Sequence, residues 1–204
     1  MLIKLYEKNT DMRDVLKAVK ILKEGGVVIF PTDTVYGLGC DIANARAVER
    51  VARIMNVQIE RCKFSFICSG LSHLSDYCKP IPNPVFKLIK SCLPGPYTFI
   101  LQANSQVPHY FKGKKKTIGF RVPDNRITLE LVKELGNPLL STSVHDEDEI
   151  VDYTTDPELI YERYRNVVDA VIDGGFGGNV PSTVVDCTGS EPLVVRYGKG
   201  EIDL

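Results

Sequence analysis

The stretch VVIFPTDTVYGLGCD, residues 27–41, begins as an apolar, β-branched run and then turns small and polar without a single lysine or glutamate. VVIF is too continuous for a half-exposed strand, so it predicts a strand in the interior of a sheet. The residues that follow are too many for a simple surface turn, which needs two or three of this kind. Directly off a strand, they read as the lining of a pocket. The competing reading is an Asx-type turn whose threonines satisfy their own backbone.

Working outward, DMRDVLKAVKILKEGG (11–26) predicts an amphipathic helix. Asp11 is its N-cap, Val15, Leu16, Val19 and Leu22 share a face, and Gly25–Gly26 stop it. Downstream, NARAVERVARIM (44–55) predicts a second helix capped by Asn44. FSFIC (64–68), YTFILQA (97–103), TIGFRV (117–122) and LLSTS (139–143) predict strands. Helices are expected near 71–77, over 85–93, over NRITLELVKELG (125–136) and over 156–165. VVDAVIDGG, STVVDCTG and PLVVRYG supply three further strands. Helices and strands interleave with no repeat or low-complexity linker. The expectation is one α/β domain over residues 1–204, built on an open, twisted, mixed sheet with flanking helices.

Bulk properties narrow the function classes. A formal net charge of −1 gives no global electrostatic case for nucleic-acid or membrane binding. No apolar run approaches a membrane span, and MLIKLYEKNTD lacks the apolar core of a signal peptide. Six cysteines without a C-x-x-C pair argue against zinc and for reduced thiols, hence a cytoplasmic location.

Four polar clusters stand out next to the predicted strands, where open α/β sheets place ligands. The first is Thr32, Asp33, Thr34 and Tyr36 with Gly37 and Gly39. The second is GGFGGNVPSTVVD (174–186), whose glycines suit either an anion-binding nest or a plain hairpin; no G-K-[ST] follows, so it is not a Walker loop. The third is STSVH (141–145), a serine and histidine pair without the G-x-S-x-G elbow of a nucleophile. The fourth is FKGKKKTIGFRV (111–122), in which Lys112, Lys114, Lys115 and Lys116 form either a solvated loop or an RNA-facing patch. Arg121 differs from these lysines: an arginine inside an apolar strand must find a partner, and it suits a carboxylate or phosphate.

Taken together, these clusters resemble the YrdC/YciO family. PTDTVYGLGCD, LPGPYTFIL, TIGFRVPDN, LLSTS, PSTVVD and VVRYGKG match it in family order across nearly the whole chain. The resemblance implies a sheet with a large concave cavity. It also implies synthesis of threonylcarbamoyl-AMP from L-threonine, bicarbonate and ATP with Mg²⁺, releasing pyrophosphate, for modification of a tRNA adenosine. By that resemblance Thr32, Thr34 and Arg121 hold threonine. Ser141 and Ser143 line the nucleotide, Ser182 meets its phosphates, and Arg196 balances carboxylate or triphosphate charge. Affinity for tRNA or other double-stranded RNA is the alternative role, without catalysis or with a different one.

Two departures accompany the resemblance. Catalytic members carry a Lys-x-Arg pair after the second helix, where this chain reads RIMNVQIERCKFSF and has Gln58 and Glu60. The family's Ser-x-Asn becomes Ser143-Val144-His145. Losing two charge-assisted hydrogen bonds costs roughly 3–6 kcal/mol, on the order of 10²–10⁴ in binding or rate. Arg61 and Lys63 restore the spacing in reverse order; they either substitute for the lost pair at the phosphates or face solvent. The wording of FSFICSGLSHLSDY and TIGFRVPDN resembles the YciO branch.

Overall fold

A computed structural model describes residues 1–59, 64–108, 116–144 and 154–204. Its strands are β1 (Leu2–Lys4), β2 (Val28–Phe30), β3 (Gly37–Asp41), β4 (Ser65–Ile67), β5 (Tyr97–Gln102), β6 (Thr117–Arg121), β7 (Leu139–Ser143), β8 (Ala170–Asp173), β9 (Thr183–Asp186) and β10 (Leu193–Arg196). Its helices are α1 (Met12–Lys23), α2 (Ala45–Ile54), α3 (His73–Tyr77), α4 (Asn83–Cys92), α5 (Arg126–Leu135) and α6 (Pro157–Tyr164). The ten described strands join one mixed sheet in the order β1-β8-β2-β3-β7-β4-β6-β5-β9-β10. As expected for VVIF, β2 is interior, flanked by β8 in parallel and β3 in antiparallel pairing.

Two strands were not expected. Leu2–Lys4 forms an edge strand against β8. More consequentially, the second half of the polar run is itself a strand: β3 pairs with β2 through Phe30–Gly37 and with β7 through Gly39–Ser141. Only Pro31–Tyr36 remains loop.

The period-two alternation of the strands sorts the core into two faces. Val28, Phe30, Leu139, Ala170 and Ile172 pack with the apolar stripes of α1 and α5. Their neighbours Ile29, Leu140 and Val171 face the other way, into the cluster built with α2, α4 and α6. Phe66, Phe99, Phe120 and Val185 continue that second cluster under the far half of the sheet. The opposite face of that far half, over β4, β6, β5 and β9, is where the cavity lies.

Helix starts follow the capping chemistry read from the sequence. Asp11 accepts from the Arg13 N–H at 2.9 Å, and Asn44 accepts from Ala47 at 3.0 Å. Asn125, buried at 7% exposure, accepts from the Thr128 N–H at 3.1 Å and opens α5 immediately after β6. Asn125→Ala is expected to cost about 1 kcal/mol in urea unfolding, and Asn125→Ser to recover most of it.

The five described cysteines are free thiols, with Cys40, Cys68 and Cys78 buried. Burial pushes the Cys78 thiol up to about 12 and the Cys187 thiol up to about 11, so neither is a thiolate nucleophile at neutral pH. Cys62 lies outside the described residues. No described helix is long and apolar enough to cross a membrane.

Candidate functional site

A cavity of about 480 Å³ opens on the face of β4, β5, β6, β7 and β9. Its wall is written in alternate strand positions: Ser65, Thr98, Thr117, Gly119, Arg121, Ser141, Ser143 and Ser182. Ile67, Ile100, Ile118 and Val184 line it as well, and the adjoining Phe66, Phe99, Phe120 and Leu140 are buried in the core beneath. The sequence clusters therefore do not sit only at strand ends. Most of the hydroxyls lie along a sheet face, which gives the cavity a polar wall backed by aromatic packing.

Arg121, 7% exposed, closes β6 and is the buried cation of this wall. Its Nη2 donates to Asp33 Oδ1 at 2.5 Å, to Thr34 Oγ1 at 2.7 Å and to Thr32 Oγ1 at 3.2 Å. Two protons thus meet three acceptors, with Thr32 the weakest. Burial pulls the Arg121 pKa down, while the Asp33 carboxylate and its hydrogen bond hold it up; the Arg196 cation adds to the lowering. Two atoms of this cluster are buried without a hydrogen-bond partner, Arg121 Nε and Asp33 Oδ2. One is a donor and the other an acceptor, so the buried pair is incompletely satisfied by the protein itself.

The loop that carries Asp33 is fastened on several sides. Thr32 Oγ1 donates to the Val35 carbonyl at 2.7 Å and accepts from the Thr34 N–H at 3.1 Å, the local turn chemistry expected of threonine. Thr128 of α5 donates to the Pro31 carbonyl at 2.5 Å. Tyr36, 1% exposed, donates to the Gly175 carbonyl at 2.6 Å. Thr32 and Thr34 are thus buried around the Arg121 guanidinium and are not themselves among the residues lining the cavity; the run is the self-satisfied turn, and it reaches the cavity only through the arginine it holds.

The glycine-rich stretch behaves differently from an anion nest. Gly174 donates to the Tyr36 hydroxyl, Gly175 to Asp173, Gly177 to the Thr155 carbonyl and Gly178 to the Thr34 carbonyl. All four N–H groups are committed to protein acceptors, so this segment clamps the Thr32–Tyr36 loop. What reaches the cavity is the end of the stretch. Ser182 Oγ lies 2.9 Å from Thr98 Oγ1, and Arg196 donates through Nε and Nη2 to the Ser182 carbonyl at 3.2 and 2.8 Å.

Of the site residues read from the sequence, Arg121, Ser141, Ser143, Ser182 and Arg196 line the one cavity, with Thr32 and Thr34 behind Arg121. Arg61 and Lys63 lie outside the described residues, as do Glu60, His145, Lys112, Lys114 and Lys115. Lys116 is exposed just before β6, with a positive φ of 48°; Gln58 is exposed beyond α2. Sequence reasoning missed Asp33 as the partner of Arg121, and it missed Ser65, Thr98 and Thr117. The alternation within FSFI, YTFIL and TIGFR carried the signal for those three hydroxyls.

Comparison with known proteins places these features in context. The Sua5/YciO/YrdC family model, which bears the description "Telomere recombination", matches residues 20–198. The Escherichia coli K12 protein YciO is 41% identical over 200 residues, covering 97% of this chain and 95% of that one. A threonylcarbamoyl-AMP synthase from Coxiella burnetii is 31% identical over 160 residues, covering 78% and 84%. The crystal structure of E. coli YciO superimposes with a TM-score of 0.91 at 40% identity, covering 98% and 97%. Pyrococcus abyssi Sua5 complexed with L-threonine superimposes with a TM-score of 0.88 at 28% identity, covering 97% of this chain and 57% of that one. With the family model spanning most of the chain and relatives above 40% identity along nearly its full length, this protein belongs to the Sua5/YciO/YrdC family.

Proposed function

We propose that this chain binds L-threonine and ATP in the cavity and forms threonylcarbamoyl-AMP with pyrophosphate as the second product, at a rate below that of family members carrying the Lys-x-Arg pair. The observation that carries the reading is the convergence of Arg121, Ser141, Ser143, Ser182 and Arg196, chosen by motif, on a single polar-walled cavity. Support comes from the family: the Coxiella relative is a threonylcarbamoyl-AMP synthase, and the similar Sua5 structure holds L-threonine.

In this reading the threonine amine takes up bicarbonate as a carbamate, with loss of water. A carbamate oxygen then forms a bond to the α-phosphorus of ATP as the bond to the bridging oxygen of the β-phosphate breaks and pyrophosphate departs. No side chain needs to abstract a proton in the second step, which accords with a wall of hydroxyls and cations. Arg121, with Thr32, Thr34 and Asp33 fixing its guanidinium, orients the amino-acid end. Ser141, Ser143, Ser182 and Arg196 hold the nucleotide, so the contribution of the chain is positioning and charge stabilisation. Mg²⁺ enters as the companion of the ATP substrate and neutralises phosphate charge.

Pyrophosphate release from Mg·ATP, measured with and without L-threonine and bicarbonate, tests the proposal. Release that requires both co-substrates, at roughly 10²–10⁴ below a Lys-x-Arg synthase, is expected. No release above background at saturating substrates rejects it.

A further inference from the structure

Two cations beside the cavity carry charge that no described carboxylate neutralises. Arg196 gives its guanidinium protons to Ser182 alone. Lys199, three residues on, donates from Nζ to the Asp33 backbone carbonyl at 2.5 Å. Neither residue takes part in an ion pair with a described residue, whereas Arg121 is matched by Asp33. Among the described residues around Ser182 and Arg121, the unmatched positive charge therefore falls on one short segment after β9, at its boundary with solvent.

That segment is anchored along its backbone. The Lys199 N–H donates to the Pro181 carbonyl at 2.8 Å, and the Gly198 N–H to Thr183 Oγ1 at 2.9 Å. Thr183 Oγ1 in turn donates to the Gly200 carbonyl at 2.6 Å, and Tyr97 donates to the Glu201 carbonyl at 2.6 Å. The main chain of 198–201 is thus held against the residues on either side of Ser182. The exposed Lys199 side chain reaches from there to the Asp33 loop. It bridges the two segments that present Ser182 and the partner of Arg121.

An ammonium resting on a neutral carbonyl, at a solvent boundary, is a weakly committed donor. A phosphate oxygen is the better acceptor, because a hydrogen bond between two ionised groups is about twice as strong as one to a neutral group. We infer that Lys199 is a phosphate-binding residue of the cavity: a polyphosphate draws its ammonium from the Asp33 carbonyl, and Arg196 and Lys199 grip the anion together beside Ser182. This rests on the nucleotide reading above, and it supplies from the 196–199 segment one of the positive charges missing where Gln58 and Glu60 replace lysine and arginine.

Calorimetric titration of the full chain with ATP, inorganic triphosphate and adenosine tests the assignment, using Lys199→Met and Lys199→Arg. Lys199→Met is expected to weaken ATP and triphosphate about tenfold, to flatten the salt dependence of both, and to leave adenosine unchanged. Lys199→Arg is expected to recover most of the loss. Because the side chain is exposed, its unfolding transition should match that of the unaltered protein. If Lys199→Met binds both polyphosphates as tightly as the unaltered chain, the assignment is overturned and the synthase reading stands. Lys199-dependent binding of triphosphate, without tighter binding of ATP and with no affinity for adenosine, keeps the assignment and overturns the nucleotide reading. An unaltered chain that binds neither polyphosphate overturns both.

Discussion

Arg121→Met is expected to abolish threonine binding and to destabilise the fold by about 3–5 kcal/mol, read as a lowered urea midpoint. The size comes from what is left behind. The Arg121 and Asp33 side chains are each 9% exposed, and they meet at 2.5 Å. Removing the guanidinium leaves the Asp33 carboxylate buried with one oxygen stripped of its partner and the other already without one. The Thr34 hydroxyl loses a donor at the same time. A buried charge without a partner is far costlier than the pair was favourable, because the pair itself spends most of its Coulombic attraction on desolvation. The double variant Arg121→Met with Asp33→Asn should therefore regain most of the lost stability while remaining unable to bind threonine. If the single variant unfolds at the midpoint of the unaltered protein, the buried pair is not the keystone of this loop. If the double variant is no more stable than the single one, the loss arises from packing around the arginine stem rather than from the stranded carboxylate.

The same pair marks the boundary of what could be read from sequence. That Arg121 needed a partner was legible, because an arginine inside TIGFRV cannot stay buried alone. Which partner it has was not: Asp33 lies 88 residues away, and only the order in which β2, β3, β7, β4 and β6 line up brings the two together. The cavity wall shows a similar division. FSFI, YTFIL, TIGFR and LLSTS were legible as strands, and the first three set a small or polar residue between aromatic or aliphatic ones. Which of the two faces is left bare depends on α1 and α5 packing over only part of the sheet, a tertiary fact absent from any local window. So Ser141, Ser143, Ser182 and Arg196 were found through motifs, whereas Ser65, Thr98 and Thr117 were passed over as ordinary strand residues. In the glycine-rich stretch, the commitments of Gly174, Gly175, Gly177 and Gly178 to Tyr36, Asp173, Thr155 and Thr34 turned an apparent anion nest into a clamp. Nothing in its composition distinguishes the two uses.

Gly39→Ala is expected to destabilise the protein by about 3 kcal/mol, with Gly39→Val worse still. Glycine is a poor strand residue, and two of them in GLGCD are the reason this segment reads as loop. The structure gives each a steric purpose. A Cβ on Gly39 would clash with the Leu140 carbonyl oxygen and lie 3.0 Å from the Phe30 ring; on Gly37 it would lie 2.8 Å from Ser141 Oγ. The first of these obstacles is backbone of the neighbouring strand, which no rotamer change relieves. Alanine at position 39 therefore has to push β3 and β7 apart where Gly39 pairs with Ser141, and Phe30 has no free space to retreat into, being fully buried. Because β7 also carries the Ser141 and Ser143 wall of the cavity, nucleotide affinity should fall in the fraction that remains folded. Gly70→Ala is the control: a Cβ there meets nothing within 4 Å, and its effect should stay within about 0.5 kcal/mol. Equal urea midpoints for the two variants would mean that the strand spacing adjusts freely. In that case the small residues after VVIF would owe their presence to the ligand and not to the fold. A large loss confined to Gly39→Ala assigns them to both, since the close approach that excludes a methyl group is also what sets Ser141 in the cavity wall.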